Sequence, residues 1–240
     1  MAAAADLHSV MDEVATNFHA KTGTRVKVIY GSSGNFFQQI QNGAPFDVFL
    51  SANADYPKKL DSAGLGVPNS YYEYARGKLV LLVSARSSLD LHPGLRVLTD
   101  RAVKKVAIAD PSHAPYGQAA VAALKSENIY AAVSPKIVVG ENVSQAASFV
   151  LSGGADIGLV ALSLARAPET RGQVRYAEIS TADYPPIQQA CVVLRSSKNQ
   201  KLAMQFEDFL RGPESFEIFQ NFGFEVPRAA MSKSPRTKSP

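Results

Sequence analysis

Val26-Lys-Val-Ile-Tyr30 runs into Gly31-Ser-Ser-Gly34, then Asn35–Gln41, the stop Asn42-Gly43, and Asp47-Val-Phe-Leu-Ser-Ala52. The first and last segments are short, apolar and rich in β-branched residues, so they read as strands. The segment between them has helical spacing and ends on a turn dipeptide. Strand, glycine-serine turn, helix and buried strand in close succession make a βαβ unit, which places the strands in a layered α/β sheet.

Working outward, the same alternation continues in both directions. Upstream, Leu7, Val10, Met11, Val14, Ala15 and Phe18 form an apolar helix face, with Asp6 as its N-cap and Gly23 as its stop. Asp12 and Glu13 fall on the solvated side of that helix. Downstream come a helix over Tyr56–Ala63, strands at Lys78–Ser84 and Val106–Ala109, and a helix from Gly117 to Ser126. Strand Lys136–Val139, helix Val143–Leu151, and strands at Asp156–Val160, Val174–Ile179 and Gln189–Leu194 follow. Two terminal helices bury Leu202, Phe206, Phe209 and Leu210, then Phe216, Ile218, Phe219 and Phe222. The expected architecture is two α/β lobes, each with a mixed, mostly parallel sheet. One lobe is built from both chain ends (1–80 and 192–227), the other is inserted (81–191), and two crossover strands form a hinge.

Composition excludes several classes. The 240 residues contain no apolar run long enough to cross a bilayer as a helix. The net charge of +4 equals the contribution of Arg228, Lys233, Arg236 and Lys238, in a segment without acids. Residues 228–240 are therefore expected to be a disordered basic tail, and the body carries no basic face for nucleic acid. Cys191 lies in the apolar run Ala190–Leu194, where an inert core thiol is expected. The histidines His8, His19, His92 and His113 are dispersed, without metal-ligand spacing. Met1 leads directly into Ala2–Ala5, which resembles no leader, so a leader is expected upstream of the given start.

Four places share one design, a strand end followed by a short turn and a helix start. They are Ala5-Asp6, Gly31-Ser-Ser-Gly34, Ala114-Pro-Tyr-Gly117 and Gly140-Glu-Asn-Val143. Helix starts present N–H groups without intrahelical partners and the positive end of the helix dipole, which favour an anion. Ligands of open α/β sheets collect at the carboxyl ends of strands. Ser33 reads either as a hydroxyl donor to that anion or as a simple helix cap. The Gly31–Gly34 turn lacks the Gly-Lys-Ser/Thr of a phosphate loop and the spacing of a nucleophile elbow. Nothing supplies a catalytic Lys, Cys or carboxylate pair with a persuasive setting, so no enzyme is expected. Asp110 reads as a turn residue, and Tyr184-Pro-Pro186 as a rigid loop near the return crossover. Asn142-Val-Ser144 matches a glycosylation pattern by accident.

The blocks Gly31-Ser-Ser-Gly-Asn35, Asn42–Ala52, His113-Ala-Pro-Tyr-Gly117, Gly140-Glu-Asn-Val-Ser-Gln145 and Leu210-Arg-Gly-Pro-Glu214, in this order after Ala-Ala-Asp-Leu7, carry a resemblance. The chain resembles the molybdate-binding components of ABC importers, of the type II periplasmic-binding-protein fold, over about Ala2 to Pro227. The resemblance implies a tetrahedral dianion, molybdate or tungstate, held between lobes by Ala5, Asp6, Ser33, Tyr116 and Val143. It also implies a membrane permease as partner, a periplasmic or extracytoplasmic location, a monomer and no cofactor. Two positions depart from the family pattern. Ala5 stands where relatives have a hydroxyl, and Ala161 where some have a tyrosine. Asp6 then either caps its own helix, leaving its amide or that of Leu7 to the ligand, or turns inward to accept a proton from a protonated oxyanion.

Overall fold

A computed structural model describes residues 1–227; the expected basic tail, 228–240, lies outside the described residues. The chain forms β1 (Ala2–Ala4), α1 (His8–Thr22), β2 (Ile29–Gly31), α2 (Ser33–Gln41), β3 (Val48–Ser51), α3 (Asp55–Ser62) and β4 (Tyr72–Gly77). Next come β5 (Leu79–Ser84), β6 (Val106–Ala109), α4 (Pro115–Ser126), α5 (Tyr130–Val133), β7 (Ile137–Gly140), α6 (Val143–Leu151), β8 (Ile157–Ala161), α7 (Leu162–Arg166) and β9 (Val174–Glu178). The chain closes with β10 (Ile187–Val193), α8 (Gln200–Leu210) and α9 (Pro213–Asn221). It divides into two compact units, Met1–Arg76 with Gln188 onward, and Gly77–Ile187.

The first unit holds a sheet of order β2-β1-β3-β10-β4. β1 runs parallel to β2 and β3, and β10 runs antiparallel to β3. Ala2, Phe36, Ile40, Phe49, Leu60, Val192 and Leu194 form one core cluster on this sheet, with Phe37, Phe46 and Tyr56 packed against it. The apolar face of α1 is buried as its spacing predicts, Val10, Met11, Val14 and Phe18 being inaccessible, and Phe18 stacks edge-on to Phe206 and Phe209 of α8. Gly23 closes α1 in the left-handed conformation, φ 71°, its N–H donating to the His19 carbonyl. The end of α8 carries a buried ion pair, Arg211 to Glu207, and the guanidinium lies 4.1 Å from the Tyr72 ring centre. Cys191 is fully buried in β10, and burial pushes its thiol well above the ordinary range.

The second unit holds a sheet of order β7-β6-β8-β5-β9. β6 pairs parallel with β7 and β8, while β5 pairs antiparallel with β8 and β9. Every residue of β6 and β8 is buried, as expected of central strands without alternation. The Tyr184 hydroxyl accepts the Leu79 N–H at 3.0 Å, tying the loop before β10 to the start of β5.

Three features differ from the sequence reading. β2 is only three residues long, not five, because it lies at the sheet edge and its one neighbour, β1, is equally short. β4 is a strand the sequence reading lacks. Its residues Tyr-Glu-Tyr-Ala-Arg-Gly mix charged and aromatic groups, and its pairing with β10 is a tertiary effect. The outward passage therefore falls at Arg76–Gly77 on β4, and the return at Ile187–Gln188 on β10, each four residues before the boundary read from sequence. Finally, Asp6 does not cap α1. A 3-10 turn, Ala5–Leu7, precedes the helix, the cap positions are Ala4 and Leu7, and neither makes a side-chain cap bond.

Candidate functional site

In the first unit the parallel register pairs Ala4 with Gly31 and Ala3 with Leu50. β1, β2 and β3 thus end at one edge of the sheet, which brings the Ala5–Leu7 turn beside the start of α2. The first intrahelical bond of α2 is Phe36 N–H to Ser32 carbonyl, so the amides of Ser33, Gly34 and Asn35 precede the helical ladder. Ser33 is buried, and its hydroxyl accepts the Ala52 N–H at 2.9 Å. With a lone pair engaged by the turn after β3, the hydroxyl has its proton to donate. A Cβ on Gly31 would meet the Phe36 ring at 2.9 Å, so glycine lets the strand turn directly into the helix.

The second unit repeats the arrangement. Ala109 pairs with Gly140, so β6 and β7 end together and release the turns that lead to α4 and α6. Tyr116 is the second residue of α4, behind Pro115, a residue suited to the first turn because its missing N–H would have no partner there. Gly117 admits no other residue, since a Cβ would lie 2.2 Å from the Ala109 carbonyl oxygen. Val143 opens α6. The Asn142 side chain accepts the Gln145 N–H at 3.1 Å, and the Gln145 side chain accepts the Glu141 N–H at 2.6 Å. These reciprocal bonds occupy the Glu141 and Gln145 amides, and the Val143 N–H lies between them in the first turn of the helix. A Cβ on Gly140 would lie 2.8 Å from the Ala146 nitrogen, so this turn is closed to side chains as well.

The five residues singled out by sequence thus fall into two groups: Ala5, Asp6 and Ser33 at one sheet edge, Tyr116 and Val143 at the other. None carries a cationic side chain, and each helix start by itself presents N–H groups and the positive end of a helix dipole. The family model of the bacterial extracellular solute-binding proteins matches residues 1–225. The chain belongs to that family. The solute-binding protein is 39% identical over 223 residues to the molybdate-binding protein ModA of Rhodobacter capsulatus, covering 93% of this chain and 86% of that one. It is 37% identical to the ModA protein of Azotobacter vinelandii, covering 93% and 88%. The solved periplasmic molybdate-binding protein of Azotobacter vinelandii superposes with a TM-score of 0.89 at 33% identity, covering 94% of this chain and 98% of that one.

Several side chains of this solute-binding protein take positions that the sequence left open or misread. The Asp6 carboxylate is buried and accepts from the Gln189 side-chain amide of β10. The Gln189 oxygen in turn accepts the Tyr74 hydroxyl proton at 2.9 Å. Tyr74 is fully buried, and burial, with the Asp6 carboxylate adding to it, pushes its phenol well above the ordinary range, so it remains an O–H donor. The only sequence signal for this network is a polar pair, Gln188-Gln189, in an otherwise apolar strand. Ala161 ends β8 fully buried and brings no hydroxyl. Asp110 takes the turn role expected of it. It accepts from the Ser112 hydroxyl at 2.6 Å and from the Ser112 N–H at 2.8 Å, which together lower its carboxyl below the usual range. Among the described residues no group of three His, Cys, Asp or Glu could hold a metal ion, and no helix is long and apolar enough to cross a membrane.

Proposed function

We propose that this protein captures molybdate or tungstate for import by an ABC transporter, handing the anion to a membrane permease. The donors proposed for the tetrahedral dianion are amides of the Ala5–Leu7 turn and the Ser33 hydroxyl in the first unit, and the Tyr116 and Val143 amides in the second. The observation that carries the reading is the Ser33 hydroxyl, anchored as an acceptor by Ala52 and so directed to donate, beside a helix start. The family relatives, molybdate-binding by name, supply the choice of anion.

Neutral donors suffice for this task. Pre-aligned N–H and O–H dipoles in a dry site interact strongly with a dianion, because little water remains to screen them. They also leave no salt bridge to be broken when the permease takes the anion. Size separates molybdate and tungstate from sulfate, which carries the same charge in a smaller shell.

Thermal melts with molybdate, tungstate, sulfate and phosphate in parallel test the proposal. At a thousand times its dissociation constant a ligand stabilises by about 4 kcal/mol. For a chain of this length that raises the melting temperature by roughly 10 °C. The expected result is a rise of that order with molybdate and tungstate and a much smaller one with sulfate and phosphate. A shift with phosphate or an organic acid alone would refute the proposal.

A further inference from the structure

Gln189 occupies a position that an apolar residue of the same strand would fill with less cost. It is fully buried in β10, where its neighbours Ala190, Cys191 and Val192 are equally inaccessible. Its side chain makes two directional bonds of opposite sense. The amide N–H donates to the Asp6 carboxylate at 2.5 Å, and the amide oxygen accepts the Tyr74 hydroxyl proton at 2.9 Å. The Tyr74 oxygen also lies 3.4 Å from the Ser51 carbonyl at the end of β3. A carboxylate can only accept, and a phenol held above its ordinary titration range can donate. The group between them must therefore donate on one side and accept on the other, at the length of a glutamine side chain. Glutamate at 189 would face Asp6 with a second carboxylate, and leucine would satisfy neither neighbour.

The three residues come from three separate places. Asp6 is the middle of the Ala5–Leu7 turn. Tyr74 sits on β4, two residues before the chain leaves the first unit, and Gln189 sits on β10, directly after it returns. Both passages thus lie close in sequence to the residues that hold the turn. We propose that Gln189 is a positioning residue for anion binding. It fixes the Ala5–Leu7 turn through the Asp6 carboxylate and couples that turn to both strands by which the chain passes between its units. The proposal rests on the reading that amides of this turn face the anion.

The test is a set of variants, Gln189→Leu, Asp6→Leu, the double variant, Tyr74→Phe and Ser33→Ala. For each, molybdate affinity is measured by calorimetry, release by chasing radiolabelled molybdate with unlabelled ligand, and ligand-free stability by melting. Gln189→Leu is expected to weaken molybdate binding roughly tenfold, almost all of it in faster release, because such losses fall on dissociation. If Gln189 acts through Asp6, the double variant binds no worse than the weaker single variant, whereas adding Ser33→Ala to Gln189→Leu weakens binding further. A leucine that merely loosened the core would lower the ligand-free melting temperature and leave release from the folded protein unchanged. That result overturns the proposal, as does full additivity of the Asp6 and Gln189 losses. If Gln189→Leu does not fold, Tyr74→Phe decides, since it keeps the ring and removes one hydroxyl. Release accelerated about threefold or more supports the coupling, and unaltered release refutes it. If Ser33→Ala binds molybdate normally as well, it is the site reading that has failed. If Ser33→Ala weakens binding and neither Gln189→Leu nor Tyr74→Phe changes release, only the positioning role has failed.

Discussion

The Ser33 hydroxyl works in two directions, accepting from Ala52 and offering its proton outward, so Ser33→Ala should be costly twice. A hydrogen bond to a charged group is worth about 1.5–3 kcal/mol, which predicts a loss of molybdate affinity of roughly tenfold to a hundredfold. The buried Ala52 N–H would lose its acceptor, at about 1–3 kcal/mol of stability. Calorimetric titration and ligand-free melting read the two effects separately; unchanged affinity would remove Ser33 from the site. At this scale the sequence was informative where geometry is local. Ser33 stands out because a helix start follows a glycine-bearing turn, Tyr116 and Val143 are singled out through the family resemblance, and Gly117 and Gly140 are required by contacts under 3 Å. The cap reading of Asp6 fails because the partner of its carboxylate, Gln189, lies 183 residues away in sequence. Local preference pointed to a cap, and a buried long-range bond prevailed.

At the scale of the element, the start of α6 depends on Asn142. Replacing it with alanine removes the acceptor for Gln145 N–H and should destabilise the protein by about 1 kcal/mol. It should also weaken molybdate binding, because the Val143 amide would no longer be held at a fixed helix start; melting and titration of the same variant check both. The turn before α4 carries a pH-dependent contribution. The Asp110 carboxyl is lowered by its two bonds from Ser112, so the folded protein holds its proton less tightly than the unfolded chain does. The stabilisation is then complete above the ordinary carboxylate range and disappears as pH falls through the lowered folded value. Melts of the parent and Asp110→Asn across pH should show a gap at neutral pH that closes only on strong acidification. Most elements were visible in the sequence as alternating apolar runs and stops. β4 was not, because its alternation of tyrosines with charged residues becomes a strand only when β10 lies beside it.

Across the whole molecule, strand and helix order implied two α/β units with one inserted into the other. That much follows from the alternation and from runs such as Leu79–Ser84 and Ile157–Ala161, which can be stable only inside a layered sheet. The exact passages between units were beyond sequence reasoning, since they depend on which strand a residue pairs with rather than on its own character. Gly77 belongs to β4 yet clusters with the second unit. Direct sequence reading of the anion also stopped short. Strand, turn and helix spacing led to an anion at helix starts, and only the family resemblance narrowed it to a tetrahedral oxyanion, molybdate or tungstate.

In the sheet order β2-β1-β3-β10-β4, the strand joining β3 to β4 is made after the entire second unit. The inserted unit is one uninterrupted stretch of chain, whereas the first must wait for its last quarter before its sheet can close. Synthesis therefore imposes a timetable: Gly77–Ile187 can become compact while β4 still lacks its neighbour. Closing the first sheet requires contacts of high sequence separation, which are slow to form. Pulsed hydrogen exchange during refolding should thus protect the amides of β5, β6 and β8 ahead of those of β3 and β10. Simultaneous protection of all five strands would show that the two units are built as one.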